Sequence, residues 1–236
     1  MRLQLLPLYF FLLFLPISVI GQETLSGTAP KIISSSEFKM PETAENVGID
    51  GTLVVAISLD KTGRVKSAEI IAGPAWPCGT NPKKEIDELK KAVRDNVMIT
   101  RFSPAIMKGK PQSSDLRIKF AVGVAYKLLL EKRETEEGIR NGTIKQVNGG
   151  VLNGRATSLP NPDYPGEAKL VQASGSVPVE VLIDEQGKVA RAGVTGGHST
   201  LQTAARNAAC SAKFAPTMLY GQPVKVSGFI SYNFTP

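Results

Sequence analysis

The chain is poor in the side chains on which most catalytic and metal sites depend. It has one histidine, His198, and two cysteines, Cys78 and Cys210. A single histidine excludes most metal sites and most histidine-dependent catalytic triads. Cys78 has no histidine in its own half of the chain that would activate it as a nucleophile. We therefore expect no enzymatic activity, no small-molecule substrate, no metal and no cofactor.

Aromatic residues and long runs of one charge are also scarce. Phe, Trp and Tyr make up 6% of the chain, and the net charge of +7 comes from basic residues that are mixed with acidic ones, as in residues 131–134. A nucleic-acid-binding surface instead combines clustered Lys and Arg with aromatic side chains. We expect no nucleic acid as a partner. The basic excess favours solubility, with anionic envelope polymers and acidic partner peptides as alternatives.

Apolar residues are concentrated at the amino terminus. Residues 3–20 follow Met1 and Arg2 and contain only Gln4 as a clearly polar residue. This pattern predicts a signal peptide, residues 1–21, that is cleaved after Gly21. The alternative is an uncleaved single-pass membrane anchor, because the run approaches the ~20 residues that span a bilayer. Export permits a disulfide, but the two cysteines lie in different halves of the chain, so we expect them to remain unpaired.

The exported part of the chain contains two similar copies of one sequence unit. Residues 49–68 realign with residues 173–192 at one constant offset. The shared positions include Gly51 and Gly175, Asp60 and Asp184, and Gly63 and Gly187. Residues 101–104 match residues 213–216 at a smaller offset, so the first copy carries one insertion around residues 74–88. Two copies are typical of a tandem-domain protein and too few for a solenoid.

Each copy predicts the order strand, strand, helix, strand. The second copy predicts a strand at 177–183, a turn at 184–187, a strand at 188–195, a helix at 199–212 and a strand at 224–232. The first copy predicts the same order, with a long final strand at 116–128. We therefore predict an α+β fold with two small antiparallel-sheet domains and a helix on one face of each sheet. The predicted segments are 38–129 for the first domain, 130–148 for a charged linker and 149–236 for the second domain.

Some positions carry a structural expectation of their own. Asp60 and Asp184 start hairpin turns, which predicts a turn role for them rather than a catalytic carboxylate pair. Residues 151–154 predict a short hairpin ahead of the second domain. Pro178 conflicts with the predicted strand order, because the first strand of each domain must lie between the other two, where proline deletes a ladder bond. Either Pro178 lies outside the paired part of its strand or the order differs.

Residues 160–234 combine six motifs in one order. They are Tyr164-Pro165, Ala168 with Gly175, the strand and turn 179–189, a small-residue helix, residues 213–216, and residues 221–223 before a closing strand. This set resembles the TonB carboxy-terminal domain family. The first copy is a weaker match, because Met40-Pro41 stands where Tyr-Pro would and the insertion around Trp76 has no counterpart.

The resemblance implies a periplasmic domain that binds a short extended segment of an outer-membrane receptor by strand addition. Energy transducers of this family also have an uncleaved amino-terminal helix and a long proline-rich spacer. Here the amino terminus has the pattern of a cleaved signal, and the 16 prolines are scattered. We therefore expect an exported periplasmic adaptor linked to receptor-dependent transport, with a receptor segment or another envelope protein as its partner. The alternatives are a structural envelope protein that binds peptidoglycan or itself, and an energy transducer anchored in the inner membrane.

The candidate partner-binding residues follow from the same resemblance. They flank or form the last strand of the second domain and comprise Tyr164, Pro165, Val224, Val226, Gly228, Ile230 and Tyr232. An edge strand at this place would offer unpaired amides and carbonyls to an incoming segment. If this edge is not used, the long strand at 116–128 is the next candidate.

Overall fold

The computed structural model describes residues 27–123 and 146–236. The predicted signal peptide, residues 124–128 of the predicted last strand of the first domain, and the predicted linker up to residue 145 lie outside the described residues. Within the two described ranges, no helix is long and apolar enough to cross a membrane.

The first domain is a three-stranded antiparallel sheet with one long helix on its buried face. Its elements are β1 (Gly27–Thr28), β2 (Ile32–Ser34), α1 (Glu42–Asn46), β3 (Gly51–Leu59), β4 (Val65–Ala72), β5 (Ala75–Pro77), α2 (Lys83–Ile99), β6 (Arg101–Phe102), β7 (Ala105–Met107), β8 (Lys110–Gln112) and β9 (Ser114–Val122). Strand β3 lies between β4 and β9. Its alternate residues Leu53, Val55, Ile57 and Leu59 are buried against the apolar stripe of α2.

The second domain repeats this arrangement and extends it. Its elements are β10 (Gln146–Val151), a 3-10 turn (Asn153–Arg155), β11 (Ala156–Ser158), α3 (Gly166–Leu170), β12 (Gly175–Ile183), β13 (Val189–Val194), α4 (Ser199–Ser211), β14 (Lys213–Phe214), β15 (Thr217–Leu219) and β16 (Gln222–Phe234). Strand β12 lies between β13 and β16 and is antiparallel to both. The α+β prediction and the order of the main elements are confirmed.

Pro178 is accommodated within the predicted strand order. It lies in the central strand β12 opposite Ser231 of β16, while the pairs between β12 and β13 begin only at Val179. The Pro178 carbonyl accepts from the Thr195 amide at 3.0 Å, on the β13 side. Because the amide and carbonyl of a strand residue point to the same side, the missing N–H of Pro178 faces the place where the β13 ladder has ended.

The repeated Asp and Gly residues shape the same hairpin turn in both domains. Oδ1 of Asp60 accepts from the Thr62 and Arg64 amides, and Oδ1 of Asp184 accepts from the Gln186 and Lys188 amides. The Thr62 hydroxyl also donates to Asp60 and lowers the pKa of that carboxyl. These contacts confirm the turn role of both aspartates.

The turn glycines are required because another strand crosses close to them. Gly63 and Gly187 have φ of +79° and +82°, and a Cβ at either position would clash with the carbonyl of Phe102 or Phe214. Each of these Phe amides donates to the carbonyl of its turn glycine. The two Phe side chains are buried, so each hairpin turn is fixed to the segment that follows the domain's long helix.

Candidate partner-binding edges of the two sheets

The last strand β16, where the sequence places the partner site, is covered by another part of the chain. Strand β10 runs parallel to β16, with pairs that extend from Gln146–Lys225 to Val151–Phe229. Strand β15 pairs with the first residues of β16. The predicted hairpin at 151–154 is wrong, because Val151 ends β10 and the next residues form a 3-10 turn.

Asn153 continues this cover beyond the end of β10. Its Nδ2 donates to the Ser231 carbonyl at 2.7 Å, and its Oδ1 accepts from the Ser231 amide at 2.9 Å. One side-chain amide thus satisfies both groups that a pairing strand would bind. Beside it, the Leu152 amide donates to the Phe229 carbonyl at 2.8 Å, and the Leu152 side chain is only 1% exposed.

The candidate residues of β16 contribute mainly to the domain core. Val224, Val226, Ile230 and Tyr232 are buried, and burial raises the pKa of Tyr232 to about 12. A Cβ at Gly228 would lie 2.6 Å from both the Gly150 carbonyl and the Leu152 side chain, so glycine is needed where β10 crosses. Binding of a partner at this edge stays a prediction, and it would require β10 to leave.

Tyr164 and Pro165 shape the entry to the second domain. The Tyr164 hydroxyl donates to the Ala173 carbonyl, and its ring meets Phe234 edge-on with centroids 6.0 Å apart. Pro165 stands at the start of α3. The Tyr164 side chain therefore covers its own core, and its contact with a partner stays a prediction.

The opposite edge of the second sheet is closed by the insertion of the first domain. We call residues 74–80 the clasp. Strand β5 within it pairs antiparallel with β13 through Ala75–Gly193, Trp76–Ala192 and Pro77–Arg191. A Cβ at Gly193 would lie 2.5 Å from the Ala75 Cα, so this close approach requires glycine. One continuous sheet therefore crosses from the second domain into the insertion of the first.

A disulfide joins the clasp to helix α4. Cys78 and Cys210 are bonded, with their Cα atoms 5.6 Å apart. The expectation that the two cysteines remain unpaired was wrong. Because β5 pairs with β13, Cys78 lies against the second domain. Its amide also donates to the Ala190 carbonyl at 3.0 Å. Distance along the chain did not decide the pairing, because the insertion spans the two domains.

Arg206 anchors the clasp from the second domain. Its guanidinium donates to the carbonyls of Ala192 at 3.1 Å, Trp76 at 3.0 Å and Pro77 at 3.3 Å. It also lies over the Trp76 ring, 3.8 Å from the centroid. Burial lowers the pKa of Arg206 to about 10, which leaves it charged at neutral pH. The sequence held one overlooked signal, since Arg206 is the only charged residue of α4.

Charged and polar side chains also join the two domains near the clasp. Arg191 of β13 forms an ion pair with Asp50, which precedes β3. Glu180 of β12 lies near the Thr52 backbone, and its pKa is raised by burial and by the charge of Asp50. The Gln202 amide donates to the Ile71 carbonyl of β4 at 3.0 Å. These contacts could not be predicted from the sequence, because each pair joins residues of different domains.

The two edges of the first sheet differ from each other. The pairing of β4 with β3 contains two register shifts. The Ile71 carbonyl of β4 accepts a hydrogen bond from the Gln202 side chain. Strand β9 pairs with β3 over nine residues without a shift. Among the strands of residues 27–123 and 146–236, none pairs with the outer edge of β9.

The sequence of the second domain matches a known family. Residues 160–236 match the model of the family Gram-negative bacterial TonB protein C-terminal. The match runs from the proline-rich approach to α3 through β16, and it confirms the resemblance of the second copy to the TonB carboxy-terminal domain. This family associates the domain with the bacterial envelope and with binding to other envelope proteins. The match does not include the first domain, so a tandem pair of TonB-type domains stays a prediction.

No curated protein and no solved structure matches the chain.

Proposed function

We propose that this protein is an exported, non-enzymatic adaptor of the Gram-negative periplasm that takes part in outer-membrane receptor-dependent transport. It binds an extended segment of a receptor or of another envelope protein by adding that segment to a sheet. The observation that carries the proposal is the TonB-type match of residues 160–236. Strand addition suits such a domain, because backbone hydrogen bonds supply affinity without a deep pocket.

The chemistry of the described residues supports a binding role. Both cysteines are used in the disulfide, so neither is held as a thiol nucleophile. Asp60 and Asp184 are occupied by backbone amides of their own turns. The clasp also gives the two domains a shared sheet and a covalent link, which is useful to an adaptor that must present a fixed surface.

The proposal is tested by titration calorimetry with the protein that begins at Gln22. The probes are synthetic peptides that span the periplasm-facing amino-terminal segments of outer-membrane receptors from the same cell. We expect at least one peptide to bind, and the same peptide with alternate amides N-methylated to fail, because it cannot pair as a strand. The proposal falls if no segment binds under conditions in which a TonB carboxy-terminal domain of an energy transducer binds its own receptor segment.

Two simple measurements separate the alternatives. Co-sedimentation with purified peptidoglycan would favour a structural envelope protein, whereas an adaptor for receptors stays in the supernatant. Amino-terminal sequencing of the protein from its own cells should give Gln22. A start at Met1 would instead favour the anchored energy transducer.

A further inference from the structure

Strand β9 of the first domain is the counterpart of β16, but the outer edge of β16 is covered by other parts of the chain and the outer edge of β9 is not paired by any described strand. The β16 edge is covered by β10, β15 and Asn153, and the β13 edge is covered by β5. The outer edge of β9 has no strand partner in the described parts of the chain. It is nine residues long, pairs regularly with β3 and contains no proline or glycine. Such an edge is a template for another strand.

The backbone groups that face this open side can be assigned from the neighbouring strand. Asp50 exchanges both of its backbone hydrogen bonds with Ala75, which lies on the side of β3 away from β9. The side to which a residue's backbone N–H and C=O point alternates along a strand. The groups of Val54, four residues after Asp50, therefore also point away from β9. Its partner in β9, Lys119, therefore points its own N–H and C=O outward.

The second domain supports the same assignment. Lys119 lies opposite Val54 as Ser231 lies opposite Pro178, and these are matching positions of the repeat. Both backbone groups of Ser231 point outward and are bound by Asn153. By alternation, the outward residues of β9 are Asp115, Arg117, Lys119 and Ala121.

The side chains beside these groups indicate the charge of the partner. Arg117 and Lys119 are exposed, and the Asp115 carboxylate accepts from the Ser58 hydroxyl at 2.5 Å. The matching residues of the covered strand β16 are Phe229 and Ser231, which carry no charge. Two basic residues on one edge oppose pairing with a second copy of that edge and favour acidic residues across from them.

We propose that the outer edge of β9 is the partner-binding edge of this protein, and that it pairs with an extended acidic segment through residues 115, 117, 119 and 121. The inference rests on the proposed function only for strand addition as the mode of binding. The proposed binding site thus lies in the first domain, whereas the family match covers only the second.

The experiment uses the mature chain and two kinds of probe. One is a nine-residue synthetic peptide of alternating Val and Asp, with its Val–Lys counterpart as the control for charge. The other is the panel of receptor segments described above. We expect the Val–Asp peptide to bind at least about tenfold more tightly than the Val–Lys peptide. Equal binding of the two would overturn the acidic specificity.

Thiol trapping locates the bound strand. Lys119→Cys adds one free thiol on the β9 edge, and Lys225→Cys adds one on the covered β16 edge as the matched control. The peptides carry a single cysteine at successive positions, supplied as its mixed disulfide with thionitrobenzoate, which leaves when the thiol of the variant attacks. They should react with the first variant at positions on the strand face that meets residue 119, and not at the positions between them. They should not do so with the second variant. Absence of trapping at position 119 would overturn the inference.

Backbone and charge are separated by two substitutions of one residue. Lys119→Pro removes an outward N–H and should weaken binding more than about tenfold. Lys119→Ala keeps the N–H and should weaken it only about threefold. If the proline variant does not fold by circular dichroism, the trapping result decides.

The outcomes distinguish the two proposals. Trapping of receptor segments at position 119 supports both of them. If receptor segments bind Lys119→Pro with unchanged affinity and are trapped at position 225, the assignment of the binding site to β9 is wrong and the proposed function still holds. Trapping of the Val–Asp peptide at position 119, with no receptor segment bound, supports the β9 edge and removes the receptor adaptor role.

Discussion

The guanidinium of Arg206 lies over the ring of Trp76, although the two residues belong to different domains. The same guanidinium binds the backbone carbonyls of Trp76 and Pro77. A buried cation needs such oxygen and ring partners to replace water. The clasp thus supplies the environment of Arg206, and Arg206 holds the clasp.

Replacing Arg206 should therefore loosen both domains. Arg206→Met removes the charge and leaves carbonyls without donors, so we expect the free energy of unfolding to fall by about 2–4 kcal/mol. Arg206→Lys should recover little, because an ammonium cannot reproduce a planar fork. Urea titration measures the loss, and exposed Arg155→Met is the control. Wild-type stability of Arg206→Lys would contradict this account.

The disulfide should contribute to stability through the unfolded state. Cys78→Ser is expected to lower the free energy of unfolding by about 2–4 kcal/mol, because the unfolded chain regains the freedom that the cross-link removed. The Cys78→Ser/Cys210→Ser double variant should lose no more than the single variant, and wild-type protein in dithiothreitol should show a similar loss. An unfolding midpoint that does not respond to reduction would refute the contribution.

Glu180 should make stability depend on pH. Burial and the charge of Asp50 raise its pKa in the folded protein above the ordinary value of 4.5, while the Thr52 backbone hydrogen bond and, to a smaller extent, the charge of Lys119 act in the opposite direction. The folded state therefore keeps the proton longer than the unfolded state. Ionisation of Glu180 lowers stability as pH rises above 4.5 through the raised pKa, and this loss is absent at lower pH.

Glu180→Gln tests this dependence. The substitution should raise the unfolding midpoint at pH 7 and change it little below pH 4.5, since the wild-type side chain is then already neutral in both states. Exposed Glu167→Gln is the control and should stay within about 0.5 kcal/mol of wild type. Stabilisation of equal size at both pH values would show that charge is not the cause.

The repeat predicted the strand order and the turns, because both domains satisfy the same local rules. Alternating apolar residues placed β3 and β12 correctly, and Asp60 and Asp184 marked their turns. The clasp escaped prediction for a physical reason. The partners of Trp76 and Cys78 lie in the other domain, and periodicity describes only neighbours along one element.

Strand β10 was not predicted, because its composition is unusual for a strand. Gly149 and Gly150 disfavour a strand on propensity alone. In the structure a Cβ at Gly149 would lie 2.7 Å from the Leu152 side chain and 2.8 Å from the Val226 side chain. Tertiary packing thus required the residue that made the strand invisible in the sequence.

Gly228 should be sensitive to a single methyl group. Gly228→Ala places a Cβ against Gly150 and Leu152 and should destabilise the domain by about 1–3 kcal/mol. Hydrogen exchange should rise in β10, because the added methyl pushes this strand from β16. Gly154→Ala is the matched control, since nothing lies within 4 Å of its Cβ. Unchanged protection of β10 amides in Gly228→Ala would contradict the predicted displacement.

The bond between Cys78 and Cys210 also defines how the chain would carry a mechanical load. The two cysteines are 132 positions apart, and a pull on both ends of the chain would pass through their sulfur atoms. Tension would reach β3 and β4, which precede Cys78, and β16, which follows Cys210. Strand β9 lies between the cysteines, as does all of the chain from residue 79 to residue 209, so its backbone is outside the load path and can hold a partner while the segments before Cys78 and after Cys210 are under tension.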